Sequence, residues 1–195
     1  MKKYGTVMSQ IRSFIAIELS PLIKVKIEEI QNKLKSLTSD IRWVRPEGIH
    51  LTLKFLGNIE EERIPEISEI IRKCSTDTTS FSLKVRSLSA FPNEKNPKVI
   101  WAGTEDDSGT LARLQQALEN RLSSIGFKVE KRAFSPHLTL GRLKSPKGKG
   151  ALTQGLENYK HFEFGTFEAK EVCLFKSELK PGGAIYTKLT TFSLQ

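Results

Sequence analysis

The stretch "GIHLTLKFLG", residues 48–57, decides how this chain is read, because its core returns as "PHLTLGR" at residues 136–142. Only three histidines occur in 195 residues, and two of them open the same four-letter word, His-Leu-Thr-Leu. Side chains alternate faces along a strand, so His50, Thr52 and Lys54 are expected on one face and Leu51, Leu53 and Phe55 on the other. In the second copy His137, Thr139 and Gly141 share a face, while Leu138 and Leu140 anchor the strand in the core. Each word then presents an imidazole and, roughly 7 Å along the strand, a hydroxyl. The two words stand close to half a chain apart, each with a strand pair near it and a helix on its flank. That spacing predicts two similar lobes facing one another, each giving one strand to a shared cleft.

Working outward, "IRSFIAIEL" reads as a buried strand, and Ser20-Pro21 marks the start of a helix running through Leu37. "EERIPEISEIIRKC" is helical, with Pro65 in its tolerant first turn. "FSLKVRSLSAF" and "VIWAGT" are strands, and an amphipathic helix from Thr110 to about Ile125 carries Leu111, Leu114, Leu118 and Leu122 on one face. "FKVEKRAF" is expected to be a strand before the second word, "ALTQGLENYK" a weak helix, and "FEAKEVCLFKSEL" and "AIYTKLTTFSL" the closing strands. Paired strands outnumber single crossovers. The fold class is therefore α+β, with two pseudo-symmetric lobes of mostly antiparallel sheet and flanking helices around a central cleft. Residues 1–10 read as a flexible leader, with the start at Met1 or Met8, and 11–195 as a single bilobal domain.

Apolar residues are 38% and charged residues 27%, as in an ordinary globular protein. The net charge of +9 favours a polyanionic partner, nucleic acid first. Cys74 and Cys173 lie in no ligand-like spacing and read as core thiols of a cytoplasmic protein. No apolar run is long enough to span a bilayer.

The set of two histidines and two threonines suits a phosphodiester. One neutral imidazole takes a proton from an attacking hydroxyl or water, and a protonated partner gives one to the leaving oxygen. The hydroxyls of Thr52 and Thr139 donate to the non-bridging phosphate oxygens as charge builds. A zinc site is the sharpest rival, but it wants three protein ligands, and His161 in "KHFEF" lies in no matching motif; it reads as surface or satisfied core. No metal and no cofactor are expected. Arg42, Arg45 and Lys54 flank the first word, and Lys131, Arg132, Arg142 and Lys144 the second, giving the cleft a positive potential. Arg45, Lys54, Arg132 and Arg142 are candidate substrate contacts, Arg142 only if its strand ends or bulges after Gly141. Phe134 and Trp43 are candidates for stacking on a base.

The paired words resemble those of the two-histidine phosphoesterase superfamily. "RSFIAIEL", "RWVRPEGIHLTLKFLG", "AFPNEKNPKVIWAG", "FSPHLTLGRL" and "LFKSELKPGGAIYTKL" narrow the likeness to the RNA 2′,3′-cyclic phosphodiesterase branch, also called the 2′-5′ RNA ligase family. The resemblance implies hydrolysis of an RNA terminal 2′,3′-cyclic phosphate to a 2′-phosphomonoester. It makes His50 the proton donor to the leaving 3′ oxygen, His137 the acceptor that activates water, and Thr52 and Thr139 the phosphate holders. The implied partners are RNA ends, tRNA fragments or nucleotides, met by a monomer. A 2′-5′ ligase acting on tRNA halves, or a non-catalytic RNA or nucleotide binder, are the alternatives.

Overall fold

The computed structural model describes residues 9–37, 40–145 and 149–195. The proposed leader and the question of Met1 or Met8 fall almost wholly outside these, as does the middle of the basic loop "KSPKGKG". Among the described residues nine strands and four α-helices follow one another as β1 (Gln10–Glu18), α1 (Pro21–Lys35), β2 (Ile41–Trp43), β3 (His50–Glu60), α2 (Ile64–Thr76), β4 (Phe81–Phe91), β5 (Val99–Glu105), α3 (Thr110–Ser123), β6 (His137–Leu143), α4 (Lys149–Glu157), β7 (Glu163–Ala169), β8 (Glu171–Lys180) and β9 (Gly183–Ser193). They build two sheets, ordered β3-β1-β8-β9 and β2-β6-β5-β4-β7, and every pairing is antiparallel. No helix among the described residues is long and apolar enough to cross a membrane.

Two of the helices, α1 and α3, cross over between the sheets. α1 leaves β1 of the first sheet and packs against β7 of the second, while α3 leaves β5 of the second sheet and packs on β3 of the first. α1 starts as its sequence dictates: Ser20 Oγ accepts from the Ile23 amide at 3.4 Å and Pro21 stands at the first helical position. Its buried stripe of Ile23, Ile27, Ile30 and Leu34, with Leu111, Leu114, Leu118 and Leu122 of α3, joins one continuous core that includes Leu51, Leu53, Leu138 and Leu140. The leucines of both words therefore anchor their strands, and β3 and β6 lie against each other where the sheets meet.

Two expected strands differ. Residues 127–136 have no regular structure, because buried side chains take up backbone groups there in place of a ladder: Lys54 Nζ donates to the Lys128 carbonyl at 2.9 Å and Glu119 Oε1 accepts from the Glu130 amide at 2.6 Å. "FEAKEVCLFKSEL" is interrupted at Lys170 and splits into β7 and β8, which belong to different sheets.

Candidate active site

Both words carry a β-bulge at their second leucine. Thr52 pairs with Ala16 and Lys54 with Ile15, so Leu53 is the extra residue; Thr139 pairs with Trp101 and Gly141 with Ile100, so Leu140 is. A bulge shifts the alternation of every residue after it. The strict two-residue period expected for "HLTLKF" therefore fails at its end. Lys54 turns inward and Phe55 outward, where it is 68% exposed. Likewise Gly141 turns inward and Arg142 outward onto the face of Thr139. Gly141 is needed at that point: a Cβ there would meet Ile41 Cγ2 and Trp43 Cε3, each at 2.9 Å.

Lys54 is thereby excluded as a substrate contact. It is 7% exposed, its Nζ lies 2.6 Å from Glu119 Oε1, and bulge geometry directs it beneath the strand. Phe134 and Trp43 are half-buried and packed against the core. Arg45 and Arg132 are exposed on the segments leading into the two words, and Arg142 is exposed on its strand, turned there by a bulge that falls at Leu140, before Gly141 and not after it as the sequence condition had it. His161 is exposed, Cys74 and Cys173 are buried free thiols, and among the described residues no group of three or more His, Cys, Asp or Glu is arranged to hold a metal ion.

The two histidines are held in the same way. His50 Nδ1 lies 2.9 Å from the Gly48 carbonyl and His137 Nδ1 lies 2.7 Å from the Ser135 carbonyl, in each case two residues back. A carbonyl only accepts, so Nδ1 carries the hydrogen in both rings and Nε2 is left as the working nitrogen. Thr52 and Thr139 are half-buried one pleat further on, on the same faces.

Aromatic residues from non-neighbouring segments wall each ring. Phe14 of β1 stacks on His50 at 4.5 Å between centroids, and Tyr186 of β9 stands edge-on at 5.0 Å. Phe91 of β4 is edge-on to His137 at 5.0 Å, and Trp101 of β5 lies 6.3 Å away. Beside His137 an open cavity of about 410 Å³ is lined by Ser89, Phe91, Pro92, Glu94 and Trp101 among others. None of these aromatics was singled out from the sequence. Phe14 and Trp101 lie on strands that pair with the words, and Tyr186 and Phe91 on strands further across the same two sheets, so only the sheet order reveals them.

Burial is the main cause that pushes the His50 pKa down, from 6.5 to about 4; the Gly48 carbonyl acts against it, and Lys24 with it. Folding thus disfavours the protonated ring, and between pH 6.5 and about 4 the unfolded chain binds the proton that the folded one refuses. The stability this neutral ring contributes is complete above pH 6.5 and is lost as the pH falls toward 4, on the order of 2–3 kcal/mol after allowance for partial exposure. His50→Gln is therefore expected to shrink the acid-side loss of stability over that window, measured by urea unfolding at several pH values. An unchanged pH slope would contradict it.

Comparison with known proteins matches the same geometry. The family model described as LigT like Phosphoesterase matches the chain twice, over residues 17–101 and 103–186, once around each word. The RNA 2′,3′-cyclic phosphodiesterase of Methanothermobacter thermautotrophicus is 34% identical over 185 residues, covering 95% of this chain and 100% of that protein. The protein of the same name from Methanocaldococcus jannaschii is 37% identical over 175 residues, covering 90% and 96%. A crystal structure from Thermus thermophilus superposes with a TM-score of 0.81 at 29% identity, covering 94% of this chain and 98% of that one. With one matched repeat for each bulged His-Leu-Thr-Leu strand, and relatives that align along nearly their whole length, this chain belongs to the LigT-like phosphoesterase family, the two-histidine phosphoesterases.

Proposed function

We propose that the protein hydrolyses the 2′,3′-cyclic phosphate at an RNA 3′ end to a 2′-phosphomonoester, without a metal, using His50 and His137 as an acid–base pair. The reading rests on the matched locks of the two rings: each Nδ1–H is spent on a carbonyl, so each word offers one free Nε2 and one threonine hydroxyl. The names of the two archaeal relatives supply the substrate class.

In this mechanism His137 Nε2 takes a proton from water as the water oxygen bonds to phosphorus. The bond from phosphorus to O3′ breaks, and the proton on His50 Nε2 passes to O3′. Thr52 and Thr139 donate to the non-bridging oxygens, whose negative charge grows in the transition state. A donor must be protonated, yet burial keeps the His50 ring neutral near pH 7 in the free protein. The anionic cyclic phosphate, arriving beside the ring, favours the imidazolium and raises its pKa. Substrate thus charges its own acid. Arg45, Arg132 and Arg142, exposed around the words, add positive potential for the RNA backbone.

Incubation of the protein with an RNA ending in a 2′,3′-cyclic phosphate, in excess chelator, tests this. Undiminished turnover is expected. Loss of turnover in chelator would overturn the metal-free mechanism, and binding with no turnover under any condition would favour a non-catalytic binder.

A further inference from the structure

The two histidine rings share one kind of lock but differ in what surrounds them. Phe14 lies over the face of His50, with 4.5 Å between ring centroids and 21° between planes, and Phe175 of β8 stacks behind Phe14 at 5.2 Å and 14°. The rings form one column, with Tyr186 nearly perpendicular to both Phe14 and His50 at its side. Phe14, Ala16, Cys173 and Phe175 make a buried cluster of their own, apart from the main core, whose side chains are mostly aliphatic. His137 has no stacked ring among the described residues: Phe91 and Trp101 meet it at 84° and 66°.

An aromatic face is electron-rich, and a cation seated within about 6 Å of its centre is attracted to it, most strongly where water is excluded. Phe14 is 2% exposed and in contact with the His50 ring, so the stack is dry. An aliphatic side chain would exclude water as well but offer no such face. The fixed charges around His50 are of both signs. Glu18, directly opposite on β1, favours the imidazolium but is ion-paired with Lys188 of β9, and Lys24 of α1 opposes it. Tyr186 and the buried Cys173 thiol complete the titratable groups of the cluster. The stacked face is what separates this ring from its counterpart.

We propose that Phe14 is a positioning residue for the acid step: its ring face, backed by Phe175, stabilises the imidazolium of His50 that gives its proton to O3′, and so makes His50 and not His137 the donor. The inference rests on the phosphodiesterase reading above. Burial keeps the ring neutral in the free protein, the anionic phosphate charges it, and the Phe14 face stabilises that charge where water does not reach.

The test compares Phe14→Leu, which keeps the ring dry, with Phe14→Tyr, which keeps the aromatic face as well. On an RNA 2′,3′-cyclic phosphate Phe14→Leu is expected to lower kcat roughly ten-fold with KM little changed. The alkaline limb of its kcat profile, which reports the protonated donor, should move down by about one pH unit. Phe14→Tyr should stay within about two-fold of wild type. On the same RNA with sulfur in place of the 3′ oxygen the leucine variant should lose nothing, because the leaving thiolate takes no proton, whereas a merely structural loss falls on both substrates. NMR titration of His50 in the presence of inorganic phosphate needs no turnover, and its midpoint should fall by about one pH unit in Phe14→Leu. An unchanged midpoint, a raised one, as expected if Phe14 only excludes water, or equal kcat losses on the two substrates would overturn the role of Phe14. Should Phe14→Leu fail to fold, Phe175→Leu, whose ring lies 6.1 Å from His50, should move the midpoint the same way by less, and no shift there would overturn it too. Failure of the wild-type protein to turn over either substrate would instead overturn the phosphodiesterase reading, while the NMR midpoint would still decide the stack.

Discussion

His137→Ala is expected to lower kcat on an RNA 2′,3′-cyclic phosphate by roughly 100- to 10,000-fold, and His50→Ala by a similar factor, while substrate affinity changes little. Each substitution removes a proton carrier whose ring is fixed by one hydrogen bond to a carbonyl two residues back, so no other group stands ready to take its place. The two losses should differ in kind. If the 3′ oxygen is replaced by sulfur, the leaving thiolate needs no proton. His50→Ala should then recover most of its activity, and His137→Ala should not, because water must still be deprotonated. Recovery of His137→Ala instead would exchange the roles of the two rings. A single variant with near wild-type kcat would remove the acid–base pair altogether.

Glu119→Ala is expected to cost about 3–5 kcal/mol of folding stability, measured by urea unfolding. Lys54 and Glu119 are 7% and 4% exposed and meet at 2.6 Å, with the Lys128 carbonyl and Glu130 amide completing their hydrogen bonds. Removing the carboxylate strands a buried ammonium and releases the backbone of residues 127–136, the segment that delivers Ser135 and His137 to the site. The activity of what remains folded should fall as well. Lys54→Met combined with Glu119→Leu leaves no buried charge and should regain most of the lost stability. It should not regain the activity, because the loop has still lost its anchors. A loss below about 1 kcal/mol for Glu119→Ala would mean that the pair is not buried in solution. Gln31 has the matching place under the second word: its side-chain amide donates to the Val44 and Leu140 carbonyls at 2.8 and 2.9 Å, the latter at the bulge itself.

The words were legible because what marks them is local. His50 and Thr52, and His137 and Thr139, lie ahead of their bulges, where simple alternation holds, and the leucines that anchor them fill the core as alternation demands. Beyond Leu53 and Leu140 the same rule gave wrong faces for Lys54, Phe55 and Gly141. A bulge is set by what packs beneath the strand, here Glu119 and Gln31 on helices that cross over from the other sheet. The stretch 127–136 misled for the same reason: its apolar and charged alternation is strand-like, but its hydrogen-bond partners are side chains distant in sequence. Phe14, Tyr186, Phe91 and Trp101 reach the imidazoles only through strand pairing, so nothing near them in sequence points to the site. Charge composition indicated a polyanionic partner, yet the register of β2 on β6 was needed to see that Arg42 and Arg142 face one another.

The account turns on which phosphorus–oxygen bond the paired imidazoles break, and product analysis reads that bond directly. An RNA ending in a 2′,3′-cyclic phosphate, treated with the protein in ¹⁸O-labelled water and chelator, should yield only the 2′-phosphomonoester, with one labelled oxygen on its phosphorus. A 3′-phosphomonoester would reverse the leaving oxygen and contradict the placing of His50 beside O3′, and recovery of unreacted cyclic phosphate would contradict the account as a whole.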